Sequence, residues 1–113
     1  MAALDPVTEG RLRAAVRAAS RRGQVVAAYL FGSRAEGRGD AWSDYDLAVF
    51  VEGAEAWDLP RVARFCGGIQ KEAGDDIEPH VFPASAFREP EVASFAAFIL
   101  KTGVRLPLEE LAA

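Results

Sequence analysis

Apolar positions along the chain follow two periods. Leu12, Val16 and Ala19 recur at helical spacing behind Asp5-Pro6, an N-cap followed by proline at the first helical position, and Gly23 closes the segment. Residues 25–31 form a short unbroken apolar run, which predicts a buried strand. Residues 32–43 are polar with three glycines and read as a loop. The period then changes to two: Tyr45, Leu47, Val49 and Val51 alternate with Asp44, Asp46, Ala48 and Phe50, a second strand that Gly53 ends. From Pro60, the spacing Val62, Phe65, Cys66, Ile69, Ala73 is that of an amphipathic helix, with Gly67-Gly68 a point where it bends or stops early. Residues 77–82 predict a third strand, with Pro79 marking an edge or a bulge. A short helical turn over 83–88, a last helix over 91–102 closed by Gly103, and a tail over 104–113 complete the chain.

The order α-β-β-α-β-α implies an α/β (α+β) fold, a small mixed sheet of three to four strands with helices packed on one side. At 113 residues there is room for one domain, spanning 1–113, and no repeat or linker interrupts it.

Charge narrows the partners. Seventeen acidic against thirteen basic residues leave a net charge of −4. That argues against sequence-independent binding to nucleic acid, which runs on Lys/Arg–phosphate contacts. It leaves room for a nucleotide, which needs a local positive cluster and a metal. The single cysteine, Cys66, allows no intrachain disulfide and suits a reducing compartment. No signal-peptide core opens the chain and its apolar runs are too short to span a membrane, so a soluble cytoplasmic protein is expected.

The chemistry-bearing segment is Phe31-Gly32-Ser33, ten residues, then Asp44-Tyr45-Asp46-Leu47. Carboxylates two apart on a strand share a face, with Cβ atoms about 7 Å apart. Mg²⁺ takes oxygen ligands and usually one or two protein carboxylates plus phosphates, a demand that Asp-x-Asp at a strand mouth meets. Gly32 permits close backbone approach, and the Ser33 amide and hydroxyl can donate to phosphate oxygens. If the two strands pair antiparallel, the phosphate turn and the acids meet at one edge.

Gly32-Ser33-Arg34-Ala35-Glu36-Gly37, followed by Ser43-Asp44-Tyr45-Asp46-Leu47, resembles the Gly-Ser-x-x-x-Gly…Ser-Asp-x-Asp-Leu pattern of the DNA polymerase beta-like nucleotidyltransferase superfamily, and the small size resembles its minimal branch. The resemblance implies the polymerase beta-like fold and Mg²⁺-dependent transfer of a nucleoside monophosphate, AMP from ATP in many relatives, to a hydroxyl acceptor. It also implies a third carboxylate on the following strand, for which the chain offers Glu78, favoured by placement, and Asp76. The metal set expected is therefore Asp44, Asp46 and Glu78 or Asp76, with Gly32, Ser33 and Arg34 on the phosphates. Minimal relatives often accompany a small helical protein of the HEPN type, so the rival reading is a non-enzymatic antitoxin module. With no second domain to close the site, such a partner or a homo-oligomer is expected to build the missing wall, contacting Phe95, Phe98, Leu106 and Leu108.

Other residues read more plainly. His80, the lone histidine, adjoins the third-strand acids, and a lone histidine on a strand is usually structural. Cys66 on an apolar helix face reads as a buried, inert thiol. Tyr45 alternates away from the acids into the core. Arg34 and Arg38 are candidates for a bidentate phosphate contact, and Trp42 is expected to pack the loop.

Overall fold

The computed structural model describes residues 5–32, 35 and 44–112. The chain runs through α1 (Pro6–Ser20), β1 (Val25–Phe31), β2 (Tyr45–Val51), a 3₁₀ turn (Ala54–Ala56), α2 (Leu59–Ala73), β3 (Ile77–Pro83), α3 (Ala84–Arg88), α4 (Phe95–Thr102), β4 (Val104–Arg105) and α5 (Leu108–Ala112). The strands form one mixed sheet in the order β3-β2-β1-β4. β1 lies antiparallel to β2 and β4, and β2 lies parallel to β3 across the α2 crossover.

Local chemistry sets the helix starts. The Asp5 carboxylate accepts from the Thr8 amide at 2.9 Å and from its hydroxyl at 2.8 Å, with Pro6 just inside the helix. The same bonds hold the Asp5 carboxyl below its usual range. Asp58 caps α2 through the Arg61 amide at 2.9 Å. α2 runs unbroken through Gly67-Gly68, because Phe65, Ile69 and Ala73 anchor it to the sheet on both sides of the pair. Gly68 also leaves space for the Arg22 guanidinium, which a Cβ there would hit. α4 begins at Phe95 rather than at Glu91: Ala93 takes a left-handed φ of 61°, and Ser94 then caps through the Ala97 amide at 3.1 Å.

The period-two alternation sorts the strands onto two faces. Ala28, Leu30, Leu47, Val49, Val51 and Ile77 face α1, α2 and α5, which contribute Leu12, Val16, Phe65, Ile69 and Leu111. Ala27, Tyr29, Phe31, Ala48 and Phe50 face the other way, where the expectation of helices on one side placed none. The two long helices do share one side; α3 and α4 cover the second face through Ala86, Phe87, Ala96 and Ile99. The reason is composition: β1 and β2 carry apolar residues at both parities and are buried on both faces.

The segment read as a tail belongs to the core. Val104 and Arg105 pair with Leu30 and Tyr29, and the Leu106 amide donates to the Ala28 carbonyl at 2.9 Å. Leu106 is only 2% exposed and Leu108 is half-buried, so neither is the surface residue expected for partner contact; Phe95 and Phe98 are exposed as expected. Pro79 lies on β3, an edge strand, where a missing amide is tolerated. No described helix is long and apolar enough to cross a membrane.

Candidate active site

Strand direction alone brings the chemistry together. β2 and β3 are parallel, so their first residues lie at the same sheet end; β1 is antiparallel to β2, so its last residues arrive there too. Phe31 pairs with Asp46, and Asp46 pairs with Glu78. All three stand on the α4 side of the sheet, as does His80 two residues beyond Glu78. One oxygen each of Asp46 and Glu78 and one nitrogen of His80 lie within 4.8 Å of one another, the one such grouping of His, Cys, Asp or Glu among the described residues.

Gly32 follows β1 with φ at +79°, a left-handed conformation that L side chains rarely adopt. A Cβ there would collide with Asp46 Oδ2 and sit 3.3 Å from Asp46 Cγ. The turn backbone therefore runs directly against the carboxylate. Asp44 precedes β2, is exposed and shares the parity of Asp46, yet lies outside the three-residue cluster. Ser33, Arg34, Arg38 and Trp42 lie outside the described residues.

The two candidates for the third carboxylate separate cleanly. Glu78 stands beside Asp46. Asp76 comes before β3 and turns to the opposite side, where Arg11 of α1 binds its Oδ1 while donating through Nε to the Ala73 carbonyl at 3.0 Å. The Arg11 guanidinium also lies 5.5 Å from the Tyr45 ring, on the core side of β2. Asp76 is thus held away from the cluster by an ion pair, and the structure does not bring it to the metal set in which it was expected.

His80, read from the sequence as a structural histidine beside the third-strand acids, joins the cluster in the structure. Its ring packs edge-on against Phe31 at 5.0 Å and Phe95 at 6.0 Å. Its Nε2 is buried and, among the described residues, has no hydrogen-bond partner; it lies 3.6 Å from Asp46 Oδ1 and 3.8 Å from Glu78 Oε1. The available signal was Glu78-Pro79-His80, which repeats on β3 the two-residue spacing of Asp44-Tyr45-Asp46 at the mouth of β2. Phe95, half-exposed at the start of α4, closes the apolar flank through Phe31 at 5.5 Å and Phe82 at 5.9 Å. Cys66 lies on the α2 side of the sheet, its Sγ 3.8 Å from the Pro79 carbonyl, and burial pushes its thiol pKa up, consistent with an inert thiol.

A left-handed glycine turn pressed against strand-mouth carboxylates at one end of a mixed sheet defines the candidate site of this α/β domain. The family model described as Polymerase beta, Nucleotidyltransferase matches residues 15–78, more than half the chain, from the second half of α1 through Glu78. The chain belongs to this nucleotidyltransferase family. Searches of curated proteins and of solved structures each found no match.

Proposed function

We propose that the protein transfers a nucleoside monophosphate, AMP from ATP, to a hydroxyl acceptor by in-line displacement at the α-phosphorus with Mg²⁺. The observation that carries this reading is the convergence of Asp46 and Glu78, abreast on adjoining parallel strands, with the left-handed Gly32 turn. Two carboxylate oxygens within 4.8 Å fit a hard dication that completes its shell with phosphate oxygens. Such an ion would neutralise the triphosphate and the leaving pyrophosphate. Asp46 and Glu78 would hold it from two strands, with Asp44 at the same sheet edge in the residue before β2. Glu78, more exposed than Asp46 (53% against 27%), would either complete the metal shell or take the acceptor's proton. The outer phosphates would lie over the Gly32 turn, with Ser33 and Arg34 as their expected contacts. The apolar flank of Phe31 and Phe95 keeps water from one side of the reacting phosphorus.

The acceptor is expected on a partner protein, a small helical chain of the HEPN type being the first to test. Phe95 and Phe98 are 51% and 59% exposed at the start and middle of α4, and Phe95 touches the site. The same exposed pair supports the binding-only reading, in which the domain serves as an antitoxin surface. Incubation with labelled ATP and Mg²⁺, with and without the neighbouring gene product, separates the two. Label on the partner that Asp46→Asn abolishes is the expected result. A stable complex formed without transfer would leave only the binding module.

A further inference from the structure

We propose that His80, together with Asp46 and Glu78, makes a three-donor site that takes a first-row d-block dication, of the Co²⁺ or Zn²⁺ kind, in preference to Mg²⁺. The proposal deepens the transfer reading, since it names the ion preferred at the same carboxylates.

Burying an imidazole nitrogen without a partner is costly, and native proteins seldom leave one so. Nε2 of His80 is in that position and is aimed between two carboxylates, 3.6 Å from one oxygen and 3.8 Å from the other. Those separations exceed a hydrogen bond, for which about 2.7–3.2 Å is usual. They approach the spacing of donors sharing an ion: two atoms each about 2.1 Å from a metal, at tetrahedral or right angles, are about 3.0–3.4 Å apart. Side-chain rotations at Asp46 and Glu78, whose oxygens lie within 4.8 Å of each other, would close the set. The imidazole itself is the fixed member, because Phe31 and Phe95 grip the ring at 5.0 and 6.0 Å and set the direction of Nε2.

The donor chemistry then selects the ion. Mg²⁺ takes oxygen and resists exchanging its water for nitrogen, whereas imidazole suits Zn²⁺, Co²⁺ and their neighbours. A neutral imidazole with two carboxylates balances a 2+ charge and leaves coordination positions for phosphate oxygens. Mg²⁺ can still use the two carboxylates alone, so the histidine adds a preference without removing the oxygen site.

His80 is the single histidine of the chain, so tag-free protein gives an unambiguous imidazole signal. The test is a nucleotide-free titration with Zn²⁺ followed by ¹⁵N–¹H correlation of that ring, with calorimetry of Co²⁺, Zn²⁺ and Mg²⁺ binding. Zn²⁺ should bind one to one and move Nε2 more than Nδ1, and Co²⁺ should bind more tightly than Mg²⁺. His80→Phe, which keeps an aromatic ring between Phe31 and Phe95, should weaken Zn²⁺ and Co²⁺ at least about tenfold, the lower bound for losing even an outer partner of a metal. An imidazole signal unmoved by saturating Zn²⁺, or His80→Phe binding Zn²⁺ as tightly as the wild type, overturns the proposal. If the variant does not fold, the wild-type spectrum alone decides. Zn²⁺ held by His80 in a chain that binds no Mg²⁺–ATP would sink the transfer reading and leave this site standing, and the converse result would do the reverse.

Discussion

Replacing Gly32 with alanine tests whether the turn after β1 is built for close approach to Asp46. Two costs act there. Left-handed backbone costs an alanine about 1–2 kcal/mol. The new Cβ also invades Asp46 Oδ2, so that side chain must leave its rotamer, at about 0.5–1.5 kcal/mol. Gly53 supplies a matched control: its φ is +77°, close to the +79° of Gly32, but a Cβ there meets nothing within 4 Å. Any gain from stiffening the unfolded chain is common to both substitutions and cancels in the comparison. An unfolding entropy of about 2.1 cal/mol/K per residue gives about 0.24 kcal/mol/K for 113 residues. Gly53→Ala should therefore lower the melting temperature by about 4–8 °C and Gly32→Ala by about 6–15 °C. Calorimetric titration with Mg²⁺–ATP provides the second readout. Gly53→Ala should bind as the wild type does, and Gly32→Ala should lose binding because Asp46 has been pushed aside. Equal melting temperatures with intact nucleotide binding in Gly32→Ala would refute the argument.

Asp46→Asn relieves repulsion between neighbouring acids, so the apo protein should be as stable as the wild type or slightly more so while transfer disappears; scanning calorimetry and labelled transfer check the pair. In the wild type, Mg²⁺–ATP at a hundredfold excess over Kd should add about 2.7 kcal/mol of stability. Glu78→Gln should lower turnover at least about a hundredfold, whereas Asp76→Asn, which only breaks the half-exposed pair with Arg11, should cost at most about 1 kcal/mol of stability and little activity; the opposite ranking in steady-state assays would refute the site. The Glu52 carboxyl is held below its usual range by the bidentate contact with Arg88. Its contribution is present above the unfolded value and lost as pH falls through the folded one, so Arg88→Met should flatten the acid limb of a denaturation profile, less so in high salt. Burial raises the Cys66 thiol pKa, so its contribution to stability fades as pH rises past the unfolded value. Native protein at pH 8 should accordingly react with iodoacetamide more slowly than unfolded protein.

Helix α1 and strands β1 and β2 were legible because their signals are local: an N-cap with proline, an apolar run, and strict alternation that already put Asp46 and Tyr45 on opposite faces. The pairing of Gly32 with the Asp-x-Asp segment was legible for the same reason, as both lie within one short stretch of chain. Pairing partners and directions are not local, and the rest of the site depends on them. Parallel register between β2 and β3 put Glu78 beside Asp46, while Arg11, 65 residues away in sequence, drew Asp76 to the other side. His80 looked like a lone structural histidine until the same register set its Nε2 between two acids. Residues 104–112 looked like a tail because two strand residues and a five-residue helix carry too little period to register; β1 supplied an open edge and buried Leu106 and Leu111. The second layer of helices was hidden for a related reason. Apolar residues at both parities of β1 and β2 show that both faces are covered, but only the chain's path back across the sheet decided that α3 and α4 would cover the second.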